Sequence, residues 1–334
     1  MKAVITINND KRIEKKVLAA CKRYAMENRA ESWFHVVLVL FCLIASYSIL
    51  LFNTNTLVLL VGGLALAVSQ TRFFAIYHDF VHKTILQKSI AATGLFTLFG
   101  LYILAPASIW HRSHNHHHQH NSKLNASAIG SYPIMSKHNY LKASKVERRR
   151  YLFSRHPATI FLGYFFTFVY GMCWQSFRNN FKKHWDSLLA LLLHIALGTF
   201  LFFYGGLLFL IVSFFMPVVL SNALGAYLFY AQHNFPGVVH YSNENWSYYK
   251  AAIASSSYMK MNPAMQWITA NIGYHHIHHI NAAIPFYNLP KAYRSIPELK
   301  TEATTSLHPI EIYNCLRLKV WDEASNRMTG VAHL

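Results

Sequence analysis

Six apolar blocks leave this chain few ways to fold in water: Val36–Phe52, Thr56–Tyr77, Ile90–Ser108, Thr159–Trp174, Ser187–Tyr204 and Leu207–Tyr230. A helix needs about 20 apolar residues to cross the hydrocarbon of a bilayer, and several blocks are of that size. The first reads VVLVLFCLIASYSILLF and is followed by the polar link Asn53–Thr54–Asn55 and then LVLLVGGLALAV, the pattern of a tight helical hairpin. Ser187–Tyr204, the Gly205–Gly206 hinge and Leu207–Tyr230 repeat that logic, with Pro217 expected to kink the last helix. Only 13% of residues are charged, against about 25% in soluble domains, which excludes an ordinary cytosolic enzyme.

Charge decides which blocks cross. Basic residues precede the first block (Lys11, Arg12, Lys15, Lys16, Lys22, Arg23) and flank the fourth (Lys145, Arg148, Arg149, Arg150, Arg155, then Arg178, Lys182, Lys183). The positive-inside rule places all of them in the cytoplasm, so Thr159–Trp174 is expected to lie in the interface or to dip in and return. Ile90–Ser108 stands between two histidine clusters and cannot be a single crossing if those clusters build one site. The expected fold is an all-α integral membrane protein of four transmembrane helices in two hairpins, with interfacial helices and a cytoplasmic cap. Its expected parts are a cytoplasmic segment (1–32), a membrane domain (33–300) and a cytoplasmic tail (301–334), with both termini inside. The net charge of +18 suits anionic lipid headgroups or an acidic protein partner better than nucleic acid in so apolar a chain. The four cysteines form no CxxC, which disfavours disulfides and a thiolate zinc site, and the polar N-terminus disfavours a cleavable signal peptide.

Histidine is the outlier, with 21 residues against 13 carboxylates. Three clusters flank the apolar blocks: His78-Asp-Phe-Val-His82; His114, His117 and His118 in an HxxHH pattern, with His111 one turn upstream; and His275, His278 and His279, which repeat HxxHH. His233 stands alone after the last block. Neutral imidazole is a good ligand for iron, zinc, copper and nickel. Eight such histidines exceed what one tetrahedral ion takes and suit two metals, and His233 would make nine. A carboxylate-bridged design would need Glu-x-x-His pairs, which are absent. His116 and His120 read as solvent-facing, as do His35, His138, His156, His184, His194, His240 and His308.

With its HxxxH, HxxHH and HxxHH boxes the chain resembles the membrane fatty acid desaturases. The stretches Phe229-Tyr-Ala-Gln-His-Asn-Phe235, Asn271–Asn281 and Ile284-Pro-Phe-Tyr-Asn-Leu-Pro290 resemble the omega-6 or delta-12 branch, especially its bacterial members. The resemblance spans about residues 33–300. It implies a di-iron centre on the cytoplasmic face of a bacterial inner membrane, ligated by His78, His82, His114, His117, His118, His275, His278 and His279. It also implies His233 as an extra ligand, Asn271 in a water-mediated contact to iron, and an acyl chain in a buried tunnel. The extra histidines of the second box leave His111 as an alternative in its register. Pro236–Gly237 replace an acidic residue usual in the family, for which Glu244 is a substitute candidate. Asp79, Asn115, Asn121 and Asn281 are candidates to orient the imidazoles.

Such an enzyme uses O2 to insert a cis double bond, and two electrons and two protons must be supplied. No CxxCH, ferredoxin-like cysteine run or GxGxxG occurs in the sequence. The electron donor is therefore expected to be a separate ferredoxin, flavoprotein or cytochrome b type protein, attracted by the basic face. The substrate is expected to be a fatty acyl lipid or thioester, held by burial worth about 0.8 kcal/mol per CH2, with Phe161, Tyr164, Phe165, Phe166, Phe168 and Tyr170 as candidates to shape the tunnel. The rival reading is a membrane hydroxylase or ketolase acting on a lipid or carotenoid with the same metal centre. A metal transporter would carry its ligands within its spans, and a zinc protease would need the HExxH that is missing here.

Overall fold

The computed structural model describes residues 2–124 and 129–332, with side chains from residue 12 onward, so Lys11 of the N-terminal basic run lies outside the described side chains. The chain opens with helix α1 (Lys2–Lys22), then α2 (Arg29–Leu51) and α3 (Thr56–Val81). Asn28 caps α2 by accepting the Glu31 N–H, and Asn55 caps α3 by accepting from Leu57 and Val58. These caps explain why the polar link at 53–55 ends one helix and starts the next. α2 and α3 pack face to face, and a Cβ on Gly62 would meet Ile49 and Leu50 at 3.1 Å.

α4 (Ile90–Tyr102) and α5 (Ala107–His120) meet at 88°. Leu104 takes a left-handed backbone and Pro106 caps α5, so the helix cannot run on. The Tyr77 hydroxyl clamps this corner by donating to the Ala105 carbonyl at 2.9 Å. The Thr159–Trp174 block becomes a short helix (Pro157–Phe161) followed by a 12-residue π-helix, Tyr164–Gln175.

A 47-residue apolar stretch, Trp185–Ala231, comes next. It holds α6 (Trp185–Leu210) and α7 (Met216–Ala231), joined by the π turn Ile211–Phe215. Gly206, at φ 74° and ψ −172°, reverses its direction. The rings of His194 and Phe214 come within 4.6 Å across that reversal, so the two arms lie side by side. Pro217 acts here through helical register, by way of the π turn just before it. Proline offers no N–H to the Ser213 carbonyl four residues back, and that carbonyl accepts the Tyr47 hydroxyl at 3.4 Å instead.

Among the described residues, three helices are long and apolar enough to cross a membrane (Arg29–Leu51, Thr56–Val81 and Trp185–Ala231), or four if the bent pair α4–α5 counts as one. The protein is therefore an all-α, multi-pass membrane protein. The region after Ala231 is built of short helices, including α8 (His275–Ile280), and of strands that form two small sheets the sequence did not foretell, one sheet joined by a strand that precedes α6. One joins 135–136, 320–322 and 327–329; the other pairs 258–260 with 304–306 in parallel. Arg155, fully buried, ties this region to α7 by donating to Asn234 Oδ1, the Tyr230 hydroxyl and the carbonyls of Pro133 and Leu318.

Candidate metal centre

Four chain segments deliver imidazoles to one place. The last turn of α3 carries His78 and His82 caps the helix, α5 carries His114, His117 and His118, His233 follows α7 by two residues, and α8 carries His275, His278 and His279. Their nitrogens form two groups, each with every ligand atom within 4.8 Å of the others: His78, His82, His114, His118 and His278 in one, and His117, His233, His275 and His279 in the other. The partition follows from helix geometry. Residues i and i+4 lie about 40° apart around a helix, while i+3 lies about 60° to the other side. Thus His114 and His118 face the first group and His117 the second, whereas His275 and His279 face the second and His278 the first. Each HxxHH segment serves both groups in reciprocal fashion. The groups share a wall where the His118 and His279 rings stack at 4.2 Å.

The nitrogens are spaced as ligands around an ion would be. Nε2–Nε2 separations are 2.8 Å for His78–His114, 3.3 Å for His114–His118 and 3.1 Å for His118–His278. In the second group they are 3.0 Å for His117–His233, 2.8 Å for His233–His275 and 3.1 Å for His275–His279. Ligands about 2.1 Å from one metal ion stand about 3 Å apart. Burial holds His275, His278 and His279 well below the usual histidine range and His233 down to about 4, so these rings are neutral near pH 7. A neutral imidazole has one N–H, so a ring of converging nitrogens opposes lone pairs unless a cation sits among them. His82 Nε2, buried and without a hydrogen-bond partner, is another such nitrogen. The donor set therefore suits two metal ions.

Few polar groups steer these rings. His233 Nδ1–H donates to the Ser255 carbonyl at 3.0 Å, which leaves Nε2 with its lone pair toward the second group. A backbone carbonyl thus does what an acid after the QH pair would do, and Glu244 is exposed. Asp79 stands 3.4 Å from His78 Nδ1 and accepts the Phe286 N–H at 2.7 Å. Asn271, in a left-handed conformation, donates its side-chain amide to the Phe286 carbonyl at 3.1 Å. Asn121 donates to Ser256 Oγ at 2.8 Å, Asn281 accepts from Ala283, and Asn115 contacts His111. His111 is exposed and belongs to neither group, and His276 turns away to the Leu299 carbonyl at 2.8 Å. His184, His194 and His240, expected at the surface, are buried instead: His184 lies against Ser108, His194 of α6 packs on Phe214, and His240, in a loop, packs on Trp321.

The sequence matches the profile of the family described as "Fatty acid desaturase" over residues 54–309, most of the chain. It is 31% identical to a "Fatty acid desaturase" of Bacillus subtilis over 263 residues, 78% of this chain and 74% of that protein. The chain belongs to the fatty acid desaturase family. It is 23% identical to a spinach (Spinacia oleracea) chloroplastic "Omega-6 fatty acid desaturase", covering 68% of this chain and 51% of that protein. A "sn-1 oleoyl-lipid 12-desaturase" of Anabaena variabilis is likewise 23% identical, over 68% of this chain and 65% of that protein. Iron-dependent, O2-dependent desaturation of fatty acyl chains is the activity this membership carries.

A desaturase needs room for a long methylene chain beside its metals. A cavity of about 750 Å³ provides it, touching His78 and His114 of the first group and His275 of the second. One stripe of the π-helix lines it at Thr167, Phe168, Gly171, Met172 and Gln175, spaced by about one turn. Of the aromatic residues expected to shape such a space, Phe168 does so, while Phe161, Phe165, Phe166 and Tyr170 face outward and Tyr164 is buried against His194 and Phe215. Trp110 adjoins the metal end, stacked on His114 at 4.9 Å and 10°.

Proposed function

We propose that the two histidine groups hold one iron ion each, His78, His82, His114, His118 and His278 around one and His117, His233, His275 and His279 around the other. The substrate is the acyl chain of a membrane lipid. The reaction converts –CH2–CH2– to cis –CH=CH–, reduces O2 to two waters, and draws two electrons and two protons from outside. The observation that carries this reading is a cavity that touches imidazoles of both groups. The Anabaena variabilis relative, named as an oleoyl-lipid desaturase, supports a lipid-bound chain over a thioester.

Iron, when bound, supplies the oxidation of an unactivated C–H bond. The chain's own residues do the rest. Phe168, Met172, Leu228 and Phe229 offer a dry apolar wall along which methylene groups are buried nonspecifically. The histidine rings hold their lone pairs inward because burial keeps them neutral. Asn271, through the Phe286 carbonyl, fixes the loop between α8 and residue 290, so its effect on the metals is indirect, with a water-mediated contact as the closer alternative.

Four crossings follow if α2, α3 and the two arms of Trp185–Ala231 each span the bilayer. Residues 29, 82, 185 and 233 then share one side, the cytoplasm by the basic runs, and in a bacterium the membrane is the inner one. A separate ferredoxin, flavoprotein or cytochrome b type protein delivers the electrons there.

Lipid analysis of cells expressing the chain, against a His278→Ala control, tests the proposal. A new oxygen-dependent double bond made only by the intact chain supports it. A product carrying oxygen from 18O2 would replace it with hydroxylation, and active protein without iron would end it.

A further inference from the structure

Part of the cavity wall is polar, lined by Arg112, Asn179, Asn180 and His184, and the histidine among them has a prescribed proton arrangement. Ser108, in the first turn of α5, meets the start of α6. Its Oγ–H donates to Asp186 Oδ1 at 2.6 Å, and its N–H donates to Asp186 Oδ2 at 3.1 Å. The same Oγ lies 2.8 Å from His184 Nδ1. A hydroxyl has one proton, and a carboxylate only accepts. With that proton committed to Asp186, Ser108 Oγ must accept, so His184 Nδ1 carries the ring proton. Nε2 is left as the acceptor. It is buried with no protein partner, in a ring only 1% exposed that lines the cavity beside Arg112, Asn179 and Asn180. Burial and the charge of Arg112 both hold His184 below the usual histidine range, which keeps the lone pair in place.

We infer that Arg112 and His184 form a seat for the lipid headgroup, with Arg112 taking the phosphate and His184 Nε2 accepting an N–H or O–H of the group attached to it. Asp186 and Ser108 are positioning residues, acting by fixing which nitrogen of His184 is bare. The inference rests on the acyl-lipid reading above and adds a specificity to it: headgroups with a donor beside the phosphate are preferred over those without one. Phosphatidylethanolamine and phosphatidylcholine make the cleanest comparison. Both are zwitterionic phosphodiesters, but only the first has protons on its headgroup nitrogen.

The test is binding of the two lipids, with identical acyl chains, to the purified full-length protein, read by native mass spectrometry and so independent of turnover. A hydrogen bond from a charged donor to a buried acceptor predicts about tenfold or more tighter binding of phosphatidylethanolamine. In His184→Phe, and in Ser108→Ala where the ring proton is free to move, the ratio falls toward unity. Equal binding by the wild-type protein overturns the seat, as does a ratio that survives His184→Phe. Acyl-CoA binding tighter than either lipid overturns the choice of a lipid headgroup. Desaturation that fails while the binding ratio holds would count against the proposed reaction and leave the seat intact.

Discussion

The carboxylate of Asp79 accepts the backbone N–H of Phe286 at 2.7 Å, across 207 residues of sequence. That bond joins the first histidine box to the loop after the third, and the other carboxylate oxygen sits 3.4 Å from His78 Nδ1. One side chain thus touches both His78 of the first histidine group and the segment that follows the third box.

Asp79→Asn should therefore weaken metal binding without removing a ligand. Outer groups of this kind contribute about 10–100-fold in metal affinity. Iron retained after dialysis against a graded chelator series measures it; retention equal to wild type would show that Asp79 serves packing alone.

The two histidine groups differ in size, five against four. His82→Ala leaves four imidazoles in the first group, whereas His233→Ala leaves three in the second. His233→Ala is expected to lose more iron and more activity than His82→Ala. Iron per protein by elemental analysis orders them, and the reverse order would refute the partition.

A Cβ at Gly225 would meet nothing within 4 Å, and the residue lines the cavity with Ser221 and Thr71. Thr71 lies two helical turns from His78, about 10 Å at 1.5 Å per residue. Gly225→Leu should fill this space and disfavour long acyl chains by about tenfold relative to short ones. The chain-length distribution of products checks it; an unchanged distribution would place the methyl end elsewhere.

Arg155 is 0% exposed and meets four neutral acceptors. Arg155→Ala leaves a large void and takes the donor from Asn234 Oδ1 and the Pro133 carbonyl, while the Leu318 carbonyl keeps the Tyr230 hydroxyl and the Asn234 amide, with an expected loss of about 3 kcal/mol. A lowered midpoint in thermal unfolding of detergent-extracted protein measures this, and a shift within error would show that the tail holds to α7 by other contacts.

His240, packed 5.3 Å from Trp321, is pushed from the ordinary 6.5 to about 3, by burial first and then by Arg155. Below 6.5 the unfolded chain takes up a proton that the folded chain refuses until about 3. This residue's share of stability is therefore constant above 6.5 and falls as pH drops through that window, by up to about 1.4 kcal/mol per unit. His240→Gln should narrow the difference in unfolding midpoint between about pH 7.5 and about pH 5; an unchanged difference would assign the acid sensitivity to other groups.

What could be read from the sequence was local. The 53–55 link, the Gly205–Gly206 reversal and the HxxxH and HxxHH spacings depend on helix periodicity and turn chemistry within a few residues. Helix spacing splits each HxxHH segment into a pair and a single residue, but which group each joins depends on how α5 and α8 approach each other, and that is not written in the spacing. His184 reads as a surface residue in the sequence because its partner Ser108 lies 76 positions away. The small sheets, of two or three residues per strand, are too short to carry an alternating pattern. His233 was legible through the surrounding FYAQHNF stretch, whereas its support, the Ser255 carbonyl, is backbone and leaves no trace in residue identity.

The reciprocal use of the two HxxHH segments has a consequence for assembly. On the proposed reading, an ion in either group would be held by both α5 and α8, so occupancy of one group would help to draw together the helices that the other needs. Each ion bound would add to the stability of the folded chain, and the two together would fasten the regions around residues 78, 114, 233 and 275 into one body.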